Sequence, residues 1–266
     1  MPPIHKGTAL VTGASSGIGA VYAERLARRG YDLIVVARNR SRLDALAARI
    51  TGDTRRAVEV VVADLGERTG LREVEQMLRH DSSISLLVNN AGIGTCTPLL
   101  SSDVDQMERM IDLNVTAVTR LAYAAIPGFV ARGNGAIINI SSIVSIAPEV
   151  LNGVYGGSKA FVLAFSQSLR HELAGKGVQV QAVLPGATAT DFWATGGLPV
   201  ENLDPNIVMR AEDLVDAALT GFDRGESVTI PSLHEVEHWE RYEAARQAMS
   251  PRLSSNLPAA RYTTAA

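Results

Sequence analysis

Tyr155 and Lys159 stand four residues apart in Tyr-Gly-Gly-Ser-Lys. On a helix that spacing shares one face, so the ammonium lies beneath the phenol. A phenol titrating near 10 is a poor acid–base catalyst at neutral pH. A neighbouring cation, joined by the positive ring of an oxidised nicotinamide, would favour the phenolate and lower that value. Such a tyrosine can give a proton to a carbonyl oxygen, or take one from an alcohol, while a nicotinamide moves hydride. Tyr-x-x-x-Lys is common by chance, so its company decides. Ser142 follows the strand-like run Ile137-Ile138-Asn139-Ile140-Ser141, at a carboxyl end where a ligand-facing hydroxyl belongs. Asn114 sits between Ile111 and Val115 on a helical apolar stripe and faces inward. A buried amide needs partners, either in a site or on neighbouring backbone.

A second group reads as a phosphate site. Thr12-Gly13-Ala14-Ser15-Ser16-Gly17-Ile18-Gly19 links a first strand to a first helix. Glycines at 13, 17 and 19 allow a sharp turn, close approach to a pyrophosphate and tight helix–sheet packing, and the helix start offers unpaired N–H groups. A plain tight turn is the alternative, but strand-to-helix context is what the motif requires. The second strand ends in Val36-Ala37-Arg38-Asn39, with Arg40 and Arg42 beyond. No carboxylate stands there to hold a ribose 2′-hydroxyl, and Arg38 can pair with a 2′-phosphate. NADP(H) is therefore expected over NAD(H), although some of these arginines also form a solvated helix start. Asp64 either accepts from an adenine amino group or caps the next helix.

These groups need a scaffold. Thr8 to Thr12, Leu33 to Ala37, Val58 to Ala63, Ile84 to Val88, Ala136 to Ile140, Val178 to Leu184 and Val228 to Ile230 read as strands. Most are continuously apolar, as in a sheet covered on both faces. Helical segments lie between them. Ser41 followed by Asp44 suggests a capping box ahead of Leu43, Leu46, Ala47 and Ile50. Val104, Met107, Ile111, Val115, Val118 and Leu121 form a second stripe, expected to stop near Pro127. Phe161, Phe165, Leu169 and Leu173 form a third. The alternation predicts an α/β fold, a doubly wound and mostly parallel seven-stranded Rossmann-like sheet in one domain with helices on both faces. Residues 187–210 break the pattern after a strand end. They are either a surface loop or, given Phe192 and Trp193, a substrate lid. The tail from Ser250 is rich in Ser, Pro and Ala, and is either frayed or packed on a neighbouring subunit.

Together the motifs resemble the short-chain dehydrogenase/reductase family, in its NADP-preferring branch. The matching pieces are Thr12-Gly-x-x-x-Gly-x-Gly19, Asn89-Asn-Ala-Gly92, Asn114, Ser142, Tyr155-x-x-x-Lys159, and Pro185-Gly186 with Thr188 and Thr190, across roughly residues 6 to 230. The resemblance implies Tyr155 as acid–base residue and Ser142 as holder of the substrate oxygen. It implies that Lys159 lowers the tyrosine pKa and grips the nicotinamide ribose, and that Asn114 holds a water in a proton relay. The cofactor would lie along Gly13, Ser15, Ser16, Gly17, Ile18, Gly19, Arg38, Asn39, Asp64, Leu65, Asn90, Ala91 and Gly92. Pro185, Gly186, Thr188 and Thr190 would close its nicotinamide end. Gly157 departs from the family, which has Ala there, and softens the helix start. Ile143, Val144, Leu151, Phe192 and Trp193 are the expected substrate walls, favouring a partly apolar substrate. The resemblance also implies a homodimer or homotetramer built on helix faces near 104 to 126 and 158 to 173.

Composition narrows the classes. The 266 residues are 46% hydrophobic and 20% charged, with a net charge of −3. A weakly acidic chain without a basic block is a poor nucleic-acid binder. Cys96 is the single cysteine, which excludes an intrachain disulfide and a cysteine zinc site. No apolar run approaches the roughly 18 residues that cross a bilayer, and the N-terminus lacks a leader's apolar core. A cytoplasmic location without membrane partner is expected. Three rival readings remain: a cofactor-binding regulator that never turns over, a dehydratase or epimerase using the same tyrosine, and a zinc hydrolase. The last rests on His234-Glu235-Val236-Glu237-His238, which fits H-E-x-x-H. No Asp, Glu or His follows Glu243 to supply a third ligand, so the segment reads better as an amphipathic surface helix faced by Val236, Trp239 and Tyr242. The expectation is a carbonyl reductase, because a reduced NADP pool drives reduction, with no metal.

Overall fold

The structure is a computed structural model that describes residues 6–263. Its strands are β1 (Thr8–Thr12), β2 (Asp32–Ala37), β3 (Val58–Val62), β4 (Ile84–Asn89), β5 (Gly135–Ile140), β6 (Val178–Val183), β7 (Thr188–Ala189), β8 (Met209–Arg210) and β9 (Val228–Thr229). Seven form one sheet in the order β3-β2-β1-β4-β5-β6-β9, each pair parallel. The helices are α1 (Gly17–Arg28), α2 (Arg40–Thr54), α3 (Arg68–His80), α4 (Val104–Ile111), α5 (Val118–Arg132), α6 (Gly153–Glu172), α7 (Phe192–Thr195), α8 (Ala211–Asp223) and α9 (Val236–Met249).

The apolar strands are buried on both faces because successive side chains point to opposite sides. Ala9 and Val11 of β1, with Leu33 and Val35 of β2, face α1, α2 and α8. Leu10, Ile34 and Val36 face the opposite layer, built by α3, α5 and the end of α6. Each fully buried Leu, Ile or Val contributes about 1.5–3 kcal/mol. The connections run to opposite sides of β1 and β4, so a crevice opens at the carboxyl ends of those two strands.

Three local outcomes differ from the sequence expectations. Asn39, not Ser41, caps α2, accepting from Arg42 N–H at 3.1 Å, and Ser41 donates to the same oxygen. The helix through Pro127 does not stop there. It continues to Arg132 and ends at Gly133, whose φ of 61° turns the chain out. Pro127 is on the exposed side, where the carbonyl its ring displaces can meet water. Val104 and Ile111 are exposed rather than part of the core stripe, while Met107, Met110, Ala117 and Leu121 are buried. The cause is a π-turn over Asp112–Ala117, which inserts an extra residue into the helical ladder. The whole helical run Val104–Arg132 has the length and hydropathy of a membrane span, yet α5 spends its apolar side on the sheet and α3.

The chain divides into two compact units, up to Ser232 and from Leu233 onward. The second holds α9 and two short turns at Ser250–Arg252 and Ala260–Tyr262, and no residue of α9 is buried. His234 precedes α9, whose N-cap is Glu235, so His234 and His238 do not share a helical face. His238 instead meets Arg241, Nδ1 to Nη2, at 3.0 Å.

Candidate active site

The crevice is shaped first by Thr12 at the end of β1. Its hydroxyl donates to Val88 O (3.2 Å) and accepts from the N–H groups of Asn90 and Ala91, both at 3.0 Å. Asn90 returns the contact, its amide donating to Thr12 O (2.9 Å) and Gly13 O (3.2 Å). Asn90 thus braces the glycine turn from below. A Cβ on Gly19 would fall 2.4 Å from Gly13 O, and Gly13 itself has φ 65°. Only glycine allows this turn. Thr12 was expected only as the strand end leading into the glycine turn, and its bracing of Asn90 and Ala91 was not foreseen.

The same turn leaves α1 bare. Ser16 is its N-cap residue but makes no side-chain cap bond, and the first turn holds no acid. Unpaired N–H groups at a helix start, beside a glycine cradle, suit a pyrophosphate. Arg38, just past the end of β2, is 72% exposed and stands 3.7 Å from Asp64 Oδ2. Asp64 does not cap α3. Its carboxylate accepts from Gly66 N–H at 2.9 Å, and the cap position is Glu67. Asn39 spends its amide oxygen on α2. Leu65 is packed in the core beneath α3, so its side chain is unavailable to a ligand. Ser15 and Ile18 are half-buried in the turn.

The chemistry-bearing residues meet where β5 gives way to α6. Asn152 caps α6, accepting from Val154 N–H (2.9 Å) and Tyr155 N–H (3.4 Å), and so fixes where the turn that carries Tyr155 begins. Tyr155 and Lys159 are both buried on α6, with Nζ 5.9 Å from the phenol centroid. Ser142, on the turn after β5, lies beside the phenol, close enough for its hydroxyl to favour the phenolate. Its hydroxyl also lies 3.4 Å from Pro185 O. Lys159 Nζ donates to Ile140 O at 3.0 Å, its one hydrogen bond among the described residues. A buried ammonium with donors to spare suits the hydroxyls of a ribose.

Burial controls both ionisations. It pushes the Tyr155 phenol up to about 12, partly offset by the Ser142 hydroxyl and reinforced by the nearby Cys96. It pulls Lys159 down to about 8. In the protein alone desolvation of the phenolate is the largest influence on Tyr155, with the Lys159 ammonium 5.9 Å from the ring centroid. Asn114 sits on the π-turn. It accepts from Ile93 N–H (3.0 Å) and donates to Ile93 O (2.8 Å) and Ser158 Oγ (3.0 Å). The backbone-bonding role left open in the sequence is thus occupied. A Cβ on Gly92 would lie 3.1 Å from Asn114 Oδ1 and 3.4 Å from Lys159 Nζ, so both atoms converge on Gly92.

An apolar cluster surrounds the phenol: Met107, Met110 and Val144, with Ile93, Leu151, Val154 and Phe192. Of the expected substrate walls, Val144, Leu151 and Phe192 belong to it. Ile143 is half-buried, its N–H on Pro185 O at 3.0 Å. Trp193 meets the cluster through Phe192, edge-on at 5.7 Å. Met107, Met110 and Ile93 were missed because a buried apolar residue near a site looks like any core residue in sequence.

Segment 187–210 covers this floor. β7 and β8 pair, Thr188 with Met209 and Ala189 with Arg210, closing its neck. Trp193 Nε1 donates to Thr188 O (2.9 Å), and Thr188 Oγ1 to Gly186 O (3.0 Å). Thr190 approaches Gly17 of the phosphate turn. Phe192 lies 5.6 Å from the Tyr155 ring.

A family model described as short chain dehydrogenase matches residues 7–197. A short-chain dehydrogenase from Sphingobium yanoikuyae in complex with NADPH superposes with a TM-score of 0.94 at 50% identity, over 97% of this chain and 100% of that one. A bulky-bulky ketone specific alcohol dehydrogenase from Comamonas testosteroni gives 0.91 at 46% identity, over 98% and 100%. Very-long-chain 3-oxoacyl-CoA reductase of Anas platyrhynchos is 38% identical over 207 residues, 76% of this chain and 66% of that protein.

Proposed function

The chain belongs to the short-chain dehydrogenase/reductase family, and on that premise we propose that it reduces bulky apolar ketones with NADPH. One observation carries the reading: the buried Ser142 hydroxyl and the Tyr155 phenol stand side by side, with the phenol set in an apolar cluster. A carbonyl oxygen placed there accepts from both hydroxyls, which polarises the carbonyl. With a phenol near 12, Tyr155 is protonated at neutral pH and acts as proton donor, the direction that reduction requires. Lys159, charged below about 8, stabilises the phenolate left behind. A dinucleotide held at the glycine turn and the start of α1 would supply the hydride. Its preference for the 2′-phosphorylated form is supported by Arg38, by the lack of an acid at the end of β2, and by the NADPH complex of the Sphingobium relative.

Bulk and apolarity of substrate are supported by the Met107, Met110, Val144 and Phe192 walls and by the description of the Comamonas relative. Assembly into a homodimer or homotetramer is supported by a stacked aromatic ladder, Tyr123–Phe165–Phe161, which is partly exposed across α5 and α6.

The test is NADPH and NADH oxidation over ketones graded from small dialkyl to diaryl, with wild type beside Tyr155→Phe. Turnover rising with ketone bulk, greater with NADPH and lost in the variant, is expected. Tight NADPH binding without turnover on any ketone would instead favour a regulator.

A further inference from the structure

Three arginines emerge where β2 passes into α2, and each faces a carboxylate. Arg38 is 3.7 Å from Asp64 and Arg40 is 3.9 Å from Asp44, both beyond hydrogen-bond range. Arg42 is different. Its Nη1 donates to Asp191 Oδ2 at 2.8 Å, across 149 residues of sequence. Asp191 belongs to the cover, not to the sheet. It precedes α7, and its backbone carbonyl accepts from Thr195 N–H (3.1 Å) and Thr195 Oγ1 (3.0 Å), so α7 fixes its place while the carboxylate stays free to reach Arg42. On one side of it Thr190 presses on Gly17, and on the other Phe192 lies against Tyr155.

We infer that Asp191 is a cofactor-selectivity residue: it competes with a 2′-phosphate for Arg42 and so weakens the protein's grip on the phosphorylated dinucleotide. The inference rests on the proposed NADPH reading. An acid after β2 selects against a 2′-phosphate by occupying its place. Here the acid arrives from the cover instead and neutralises a cation that would otherwise be available. An exposed pair of this kind (53% and 65% for the two side chains) is modest in strength and sensitive to salt. The effect is therefore a tuning of affinity, not an on–off switch. Its sign is opposite to that of a structural bond, because removing the contact improves binding of one ligand.

The experiment measures dissociation constants for NADPH, NADH, 2′,5′-ADP and ADP by calorimetry. It uses wild type, Asp191→Asn, Arg42→Ala and the double variant, at low and high salt. Asp191→Asn is expected to bind NADPH and 2′,5′-ADP about threefold to fivefold tighter at low salt, with NADH and ADP unchanged. Arg42→Ala weakens only NADPH and 2′,5′-ADP, the ligands with a 2′-phosphate. In the double variant the Asp191 substitution adds nothing. An Asp191→Asn effect shared by all four ligands, or one that persists without Arg42, overturns the inference and leaves a structural role. Wild type that binds NADPH well beside an Asp191→Asn variant with the same constant also overturns it, with the NADPH reading intact. Wild type that binds neither dinucleotide ends both.

Discussion

Tyr155, Ser142, Lys159 and Asn114 are all buried, and the last three are each tied to backbone or to another buried hydroxyl. The cover at 187–210 is held otherwise, by a two-residue ladder, one indole hydrogen bond, a backbone bond from Cys96 N–H to Gly196 O, the Phe192–Tyr155 ring contact and one exposed ion pair. The floor gains its rigidity from groups that cannot leave without stranding buried polar atoms, each costing about 1–3 kcal/mol. The cover's contacts are weaker and mostly at its edges, so it can be retuned without touching the chemistry. The comparison predicts large, all-or-none losses below and graded changes in affinity above.

The largest effect belongs to the floor. Tyr155→Phe keeps the ring but removes the proton, so ketone reduction should fall by about 10³-fold, with NADPH affinity within about twofold of wild type. Comparable losses in both would show that the hydroxyl holds the fold of the site. Next comes Gly19→Ala. The new Cβ would meet Gly13 O at 2.4 Å, and backbone on both sides cannot yield. Dinucleotide affinity should drop by about 100-fold, measured by calorimetry beside circular dichroism to separate lost binding from lost folding. A variant that binds normally would show that the turn is looser than its contacts.

The acid–base pair gives a pH signature. Lys159 loses its proton above about 8 while Tyr155 holds its own to about 12. In ketone reduction kcat/KM should be flat from pH 6 to 7.5 and fall about tenfold per unit beyond 8. A profile still flat at pH 10 would mean that the lysine acts without its charge.

The two regions were unequally legible. All seven sheet strands could be placed because continuous apolar runs between turn residues have few other readings, and the site residues stood in ordered motifs. The π-turn at Asn114 escaped, since it accompanies a tertiary bond to Ile93 that no local periodicity announces. For the same reason Val104 and Ile111 were assigned to the wrong side of their helix. Pro127 misled because the cost of an interior proline depends on which face it occupies. The cover's short elements were illegible in advance: four-residue α7 and two-residue strands lie below the length at which a pattern can repeat.

On the cover, Phe192→Ala removes a ring that packs on Tyr155 and Gly94. Its work is to fill and close, so KM for diaryl ketones should rise severalfold, with kcat falling less than twofold. A kcat loss as large as the KM change would move Phe192 from the cover to the floor.

The smallest effect lies back in the floor, at its one soft point. Gly156 and Gly157 sit side by side in α6, and the structure separates them. A Cβ on Gly156 would lie 3.2 Å from three atoms of Pro148, so this glycine permits the helix to pack on the preceding turn. Gly157 faces solvent and a Cβ there meets nothing within 4 Å. Its helical position is one that alanine adopts without strain, and alanine surrenders less backbone entropy on folding. Gly157→Ala should therefore stabilise the protein by about 0.5–1 kcal/mol, seen as a rise of about 1–4 °C in Tm, with kcat unchanged. A faster or slower variant of equal stability would show that the slack beside Tyr155 is used during turnover, and the division between a fixed floor and a tunable cover would then fail at the catalytic helix itself.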